Sequence, residues 1–197
     1  SDFQFNQDLY IADIQAGTTR EWFGAQNALT YGVTAEVTQS TRPRERVEYN
    51  LATGVPAYTI GGETFPNKNF PDTTTTQIGT YVQDIISMGR WEVTPAVRLD
   101  FYNLEPHPDA WSNRSSGGLQ VSRLTDVAVS PKLGALYRIT DAVSVYGQYA
   151  HGFRAPPYDS TNFGFTNPQS GYAILPNANL KSESSDGVEF GFRGDPG

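Results

Sequence analysis

The chain has 197 residues, no cysteine and a formal net charge of −7. The acidic balance argues against nucleic acid as a partner, because nucleic-acid binders present a basic face. The lack of cysteine excludes disulfides and thiolate metal sites, and with only His107 and His151 a multi-histidine metal site is not expected. No stretch approaches the roughly 18 consecutive apolar residues of a transmembrane helix. The first residues, SDFQFNQ, are already strand-like and do not resemble a signal peptide, so we expect a piece of a longer protein.

Alternating apolar and polar residues predict β-strands along most of the chain. In 127–139, for example, Val127, Val129 and Leu133 alternate with Ser130 and Lys132. Residues 17–27 fit a further short strand less well. No segment shows a helical period, so the predicted fold class is all-β. The seven predicted strands are 3–12, 28–38, 77–88, 91–103, 127–139, 143–153 and 185–193.

The links between these strands are of two kinds. Tight turns follow 77–88 and 127–139, whereas three long links rich in Pro, Asn, Thr, Ser and Gly lie near 41–75, 105–125 and 154–184. The alternation puts the long loops at one end of the sheet, which is typical of outer-membrane barrels, where the longer loops are extracellular. About seven strands do not close a barrel of even strand number, so the chain is expected to be part of one. A soluble β-sandwich that binds glycans through aromatic loops is the alternative from another class.

Three segments resemble the barrel of TonB-dependent outer-membrane receptors. They are YVQDIISMGRWEVTPAVRLDFY (81–102), SPKLGALYRITDAVSVYGQYAHGFRAP (130–156) and NANLKSESSDGVEFGFRG (177–194). The family patterns read Y-x-Q-D, S-P-[KR]-L-G, G-F-R-A-P and N-P-N-L-K-P-E, and here Ala178 and Ser182 replace the two prolines of the last pattern. The residues that carry the last two patterns are Phe153, Arg154, Ala155, Pro156, Asn177, Asn179 and Leu180.

The resemblance implies an antiparallel transmembrane β-barrel of about 22 strands in the bacterial outer membrane. Residues 1–197 would form part of its C-terminal barrel domain, and the family's plug domain is not seen in this chain. The implied activity is transport, not catalysis, powered by the TonB–ExbB–ExbD energy complex, with outer-membrane lipid around the barrel. A passive porin is disfavoured because these patterns belong to plugged receptors.

The segment FRAPPYDSTNFGFTNPQSGYAILPNANL is similar to heme and haemoglobin receptors. Members of that group often carry a histidine in this interval as a heme-iron ligand, but residues 157–176 contain none. They contain two tyrosines instead, which is similar to a Phu-type heme uptake receptor that uses a loop tyrosine with a plug histidine. The implied cargo is heme, free or from haemoglobin, and no catalytic cofactor is implied. A ferric-siderophore receptor of the same fold is the main alternative.

Candidate heme contacts follow from this resemblance. Tyr172 is the preferred axial ligand, because a phenolate can bind heme iron. Tyr158 is a lesser candidate for the same role. His107 would be a transient heme contact in its long loop, and Phe163 and Phe165 would stack on the porphyrin. Each of these residues has a plain alternative, which is packing within the loop or exposure to solvent.

The strand pattern also assigns residues to the two faces of the sheet. His151 shares a face with Tyr149 and Phe153, so we expect it in an aromatic girdle on the lipid side. Arg154 lies on the opposite, lumenal face. The charged residues predicted to form a polar lumenal wall are Glu92, Arg98, Asp100, Lys132, Arg138, Glu189 and Arg193.

Overall fold

Seven long antiparallel strands form one sheet in a computed structural model that describes residues 1–116, 121–167 and 170–194. Each strand pairs with the strand next to it in the chain, so the sheet is a simple meander. The strands are β1 (Asn6–Trp22), β2 (Ala25–Thr41), β3 (Asp72–Met88), β4 (Trp91–His107), β5 (Leu124–Arg138), β6 (Val143–Arg154) and β7 (Glu183–Gly194).

Two-residue turns join β1 to β2 and β3 to β4. Gly24 and Gly89 have φ values of 74° and 59°, in the left-handed region that such turns require and that glycine adopts without a steric penalty. Phe23 shares the first turn with a φ of 53°. Residues 17–27 are therefore not a separate strand: they are the end of β1, this turn and the beginning of β2. The prediction of a separate short strand there is wrong, because the lipid-facing positions Thr18, Arg20 and Asn27 are polar and the two-residue turn shifts the alternation by one position.

The seven predicted strands are all present, and most extend further than the alternation indicated. The described chain shows one long sheet with no second sheet of comparable length against it, so the β-sandwich alternative is wrong. Strands β1 and β7 lie at its two edges, where an open ladder inside a membrane would leave backbone groups unpaired. The fold is a segment of a transmembrane β-barrel wall. No helix among the described residues is long and apolar enough to cross a membrane.

One face of the sheet is apolar and exposed. The strand register runs without interruption, so Ile14, Val33, Val82, Val97 and Val129 point to the same side. A contiguous apolar surface of this extent is unfavourable in water but not in hydrocarbon. This face is therefore the lipid side. Its charged residues stand near the strand ends, except for Asp84 in the Y-x-Q-D segment, whose Oδ1 is buried without a partner.

The other face is polar. The seven predicted wall residues Glu92, Arg98, Asp100, Lys132, Arg138, Glu189 and Arg193 all lie on it. Arg154 also lies on this face, and His151 lies on the apolar one beside Tyr149. His151 Nδ1 is 2.9 Å from Asp186 Oδ1 on the neighbouring strand.

The long links contain short helices and strands in the parts that the structure describes. We name them loop 1 (42–71), loop 2 (108–123) and loop 3 (155–182). Loop 2 contains helix α1 (Ala110–Ser116) and loop 3 contains helix α2 (Tyr158–Asn162), although the sequence predicted no helix. Helices this short do not show a 3.6-residue period. Short strands, outside the long sheet, lie at Asp2–Phe3, Pro43–Glu45, Glu48–Tyr49, Pro56–Ala57, Thr59–Ile60, Glu63–Thr64, Asn67–Lys68, Phe165–Asn167 and Tyr172–Ile174.

Candidate functional site in the long loops

The most deeply buried side chains lie in the three loops and at the adjoining strand ends, not in the sheet. Phe70 is 2% exposed, Leu104 0% and Asn162 1%. They come from loop 1, β4 and loop 3. We call the three loops together the loop cluster, because the contacts described next join each loop to the others.

Lys68 joins loop 1 to loop 2. Its Nζ is 2.7 Å from Asp72 Oδ2 and 2.7 Å from Asp109 Oδ2, and it lies 5.8 Å from the centre of the Trp111 ring. Burial disfavours the ammonium charge, but the hydrogen bonds to Asp109 and Asp72 outweigh burial and raise the pKa of Lys68 above 10.5. A buried cation shared by two carboxylates ties their segments together, since separating them would leave the buried ammonium without its partners.

Asp109 also begins helix α1. Its Oδ1 accepts hydrogen bonds from the backbone N–H of Trp111 and Ser112, and the Asp109 N–H donates to Ser112 Oγ, which is a reciprocal N-terminal cap. Burial disfavours the carboxylate, but the hydrogen bonds from Lys68 and Ser112 outweigh it and lower the pKa of Asp109 below 3.8. One carboxylate thus supports both the helix and the contact between loops.

Asn162 joins loop 3 to loop 2 through two hydrogen bonds. Its Nδ2 donates to Ser122 O at 2.9 Å, and the Ser122 N–H donates to its Oδ1 at 2.7 Å. Loop 3 also meets loop 1, because the Gly164 N–H donates to Asn69 O at 2.8 Å. A buried amide with both halves paired fixes the relative position of two backbones.

Tyr158 packs within this cluster. Its ring centre is 5.0 Å from that of Phe70 and 6.2 Å from that of Phe5, and burial raises the pKa of its phenol, with the nearby Asp159 adding to the effect. A raised pKa opposes the phenolate that would ligate iron. The arrangement therefore favours the packing role for Tyr158.

Tyr172 has a different environment. It begins the strand Tyr172–Ile174, which pairs with Phe165–Asn167 to form a hairpin that we call the loop 3 hairpin. The side chain is 50% exposed, and its ring centre is 5.9 Å from that of Phe165. Gly171 has a φ of 67°, in the left-handed region. Phe163, also a predicted heme contact, is half-buried at the end of α2.

His107 is the last residue of β4, on the lipid-side parity, and its Nε2 is 3.0 Å from Thr74 Oγ1. Among the described residues, no hydrogen bond or ring contact joins Tyr172 to His107 or Tyr158. The same residues contain no group of three His, Asp or Glu side chains placed to hold a metal ion. Tyr172 and Phe165 are thus the predicted heme contacts that the fold brings together.

The two family patterns that flank loop 3 meet at its base. Phe153 and Arg154 end β6, and Pro156 O accepts a hydrogen bond from Tyr102 Oη at 3.0 Å. At the other end of the loop, Asn177 Oδ1 accepts from the Asn179 N–H, and Asn177 O accepts from the Leu180 N–H. The Asn177 N–H donates to Thr161 O in α2. Ala155, between Arg154 and Pro156 in the first pattern, is half-buried.

Sequence reasoning missed Phe70, Lys68 and Asn162. The last two make their key contacts with residues far away in the chain, so no local pattern marks them. The cap of α1 did carry a signal, because aspartate is a preferred residue immediately before a helix, as Asp109 is here.

A lipid-side face, a polar lumenal face and long loops gathered at one end define a wall of an outer-membrane β-barrel of the receptor type. The chain belongs to the family described as TonB dependent receptor-like, beta-barrel, whose profile matches residues 1–197. Its members are receptors and transporters of the bacterial outer membrane and not enzymes. No curated protein matches the sequence.

Several solved structures share the fold at low sequence identity. The chain is similar to the ferric citrate transporter FecA in its unliganded form (TM-score 0.68, 17% identity, 99% of this chain and 26% of that one). It is also similar to BauA, the ferric preacinetobactin receptor from Acinetobacter baumannii (TM-score 0.64, 17% identity, 99% and 27%). A third is a double mutant of the Serratia marcescens hemophore receptor HasR in complex with its hemophore HasA and heme (TM-score 0.69, 16% identity, 96% and 30%). The chain thus spans less than a third of each of these structures.

Proposed function

We propose that residues 1–197 are part of the C-terminal barrel domain of a receptor for TonB-dependent uptake, with the three long loops extracellular and heme as the cargo. The TonB–ExbB–ExbD complex would supply the energy through a plug domain outside this chain. The observation that carries heme over other cargoes is the loop 3 hairpin, where an exposed phenol and an aromatic ring stand side by side on Tyr172 and Phe165.

The chemistry of heme fits that pair. A phenolate is an established axial ligand of heme iron, and an adjacent ring can stack on the porphyrin. Tyr172 follows a glycine with positive φ and is far more exposed than the residues of the loop cluster core, so the hairpin can change its position at small cost. A plug histidine would complete the iron coordination.

Titration of the full-length receptor with hemin tests the proposal. We expect a shifted Soret band on binding and a clear loss of affinity in Tyr172→Ala. Tyr49→Ala is the matched control, because Tyr49 is a similarly exposed tyrosine in loop 1, and it should bind as the wild type does. An unshifted Soret band, or equal affinity in wild type and Tyr172→Ala, would exclude heme ligation by this residue.

A ferric-chelate receptor is the second candidate. Two observations favour it: His107 lies on the lipid-side face, and among the described residues no hydrogen bond joins Tyr172 to a histidine or a carboxylate. A chelate that already saturates its iron needs only aromatic and polar contacts. Calorimetric titration with ferric citrate, compared with hemin on the same preparation, separates the two candidates.

A further inference from the structure

A cleft of about 280 Å³ lies at the base of loop 3, where the chain leaves β6 and returns to β7. The two family patterns form opposite sides of it. Its charged lining side chains are two cations, Arg154 and Lys181, and one carboxylate, Glu183. In the part of the chain that the structure describes, neither cation makes a salt bridge, even though Glu183 is the register partner of Arg154.

Hydrogen bonds hold the chain close to both cations. Arg154 is the last residue of β6, and two residues further on the buried Pro156 is held by the hydrogen bond from Tyr102. Lys181 lies between Leu180, whose N–H donates to Asn177 O, and Ser182, whose Oγ donates to Asp126 Oδ2. Anchoring on both sides lowers the entropy lost when the two side chains converge on a ligand.

The geometry points to an anion site in this cleft, which takes a carboxylate group of the transported cargo between Arg154 and Lys181. An arginine and a lysine without carboxylate partners leave the lining with an excess of positive charge, and both donate charge-assisted hydrogen bonds to carboxylate oxygens. Ser160 lines the same cleft and adds a hydroxyl donor. Arg154 lies on the lumenal face, which is the side of the wall that cargo would pass.

The inference rests on the proposed function and deepens it. Heme carries two propionate carboxylates at one edge of the porphyrin, whereas the loop 3 hairpin would meet its iron and its aromatic face. Ferric citrate also carries carboxylates. The site therefore requires a cargo with a carboxylate and does not depend on heme being that cargo.

The test measures binding to the full-length receptor of three probes: hemin, hemin dimethyl ester and ferric citrate. The double variant Arg154→Gln/Lys181→Gln removes the two cations. Lys132→Gln/Arg138→Gln is the matched control, since it removes one lysine and one arginine from the same lumenal face outside the cleft. We expect hemin to bind the double variant about tenfold more weakly, as exposed charge-assisted contacts allow, and the control as tightly as wild type. The dimethyl ester should bind wild type about as weakly as hemin binds the double variant.

The outcomes separate the two proposals. If hemin binds the double variant as tightly as wild type, the anion site is overturned while heme uptake stands. If hemin does not bind wild type but ferric citrate binds and is weakened in the double variant, heme uptake fails and the anion site stands. If neither hemin nor ferric citrate binds wild type, the anion site is overturned as well.

Discussion

Replacing Gly79 by alanine should weaken the barrel wall, because the arginine next to it occupies the place of the new methyl group. A Cβ at Gly79 would lie 1.9 Å from Arg98 Nη2 and 2.4 Å from its Cζ. The guanidinium lies across β3 at the glycine, with Nε donating to both oxygens of Asp100 at 2.9 and 3.0 Å and Nη2 donating to Thr34 Oγ1 at 2.9 Å. Glycine at position 79 is what allows this arrangement.

The size of the effect follows from what the displaced arginine leaves behind. To reach ordinary van der Waals distance the guanidinium must move by about 1.5 Å, which breaks hydrogen bonds of this length. Asp100 is 4% exposed, so its carboxylate would lose its main partner without gaining water. Gln77 still donates to Asp100 Oδ1 at 3.4 Å and offsets part of the loss. The free energy of unfolding should fall by about 2 kcal/mol, within the range for a buried charged group deprived of a partner.

Urea unfolding of the full-length receptor in detergent, followed by its electrophoretic mobility without heating, measures this change. Gly134→Ala is the control: Gly134 is also a lumenal strand glycine, but its new Cβ would be no closer than 3.6 Å to Thr94 Cβ. In an Arg98→Ala background, Gly79→Ala should cost much less than in wild type. Equal losses for Gly79→Ala and Gly134→Ala, or an undiminished loss in the Arg98→Ala background, would refute the reasoning.

Three further predictions concern the loop cluster. The pKa of Asp109 lies below 3.8 and that of Lys68 above 10.5, so their contact stabilises the loops at the pH values in between, and this is lost as the pH falls through the pKa of Asp109 or rises through that of Lys68. Protease cleavage in loops 1 and 2 should therefore increase below about pH 4. Lys68→Met should show increased cleavage already at neutral pH, with little further change in acid. Asn162→Ala should raise hydrogen exchange in loop 2 at Ser122 by roughly 5- to 150-fold, the equivalent of about 1–3 kcal/mol, while Thr166→Ala, in the exposed hairpin, should leave it unchanged. Tyr158→Phe should keep both the fold and hemin affinity, whereas Tyr158→Ala should loosen the loops; a loss of hemin affinity in Tyr158→Phe would contradict the packing role.

The sheet could be predicted because each of its residues has one of two environments. A residue such as Val97 faces lipid and its neighbour Arg98 faces the lumen, so the contrast repeats every second residue and shows directly in the sequence. The same rule assigned His151 and Arg154 to opposite faces. It failed at residues 17–27, where polar residues occupy lipid-facing positions and a two-residue turn shifts the alternation by one position.

The loop cluster could not be predicted, since its order comes from contacts between distant segments. Asn162 binds Ser122 and Lys68 binds Asp109, and neither pair leaves a local pattern in the sequence. The family resemblance identified the two ends of loop 3 and suggested heme contacts between them, but it did not predict helix α2 or the hydrogen bonds to the other loops. It also did not indicate that Arg154 and Lys181 share a cleft, because that depends on how the loop closes on itself.

The position of the buried core limits how such a receptor can capture a ligand. A barrel wall is one sheet thick, so its residues face lipid or lumen and bury little against each other. The loop cluster therefore carries most of the packed interior of the described chain. Opening it would separate Lys68 from Asp109 and leave Asn162 without its partner Ser122. The first strand of the loop 3 hairpin lies against α1, but its described residues make no hydrogen bond or ion pair with the other loops, and its Tyr172 is exposed. Movement on ligand binding should then be confined to the hairpin, with the base of loop 3, where Arg154 and Lys181 lie, as a fixed platform beneath it.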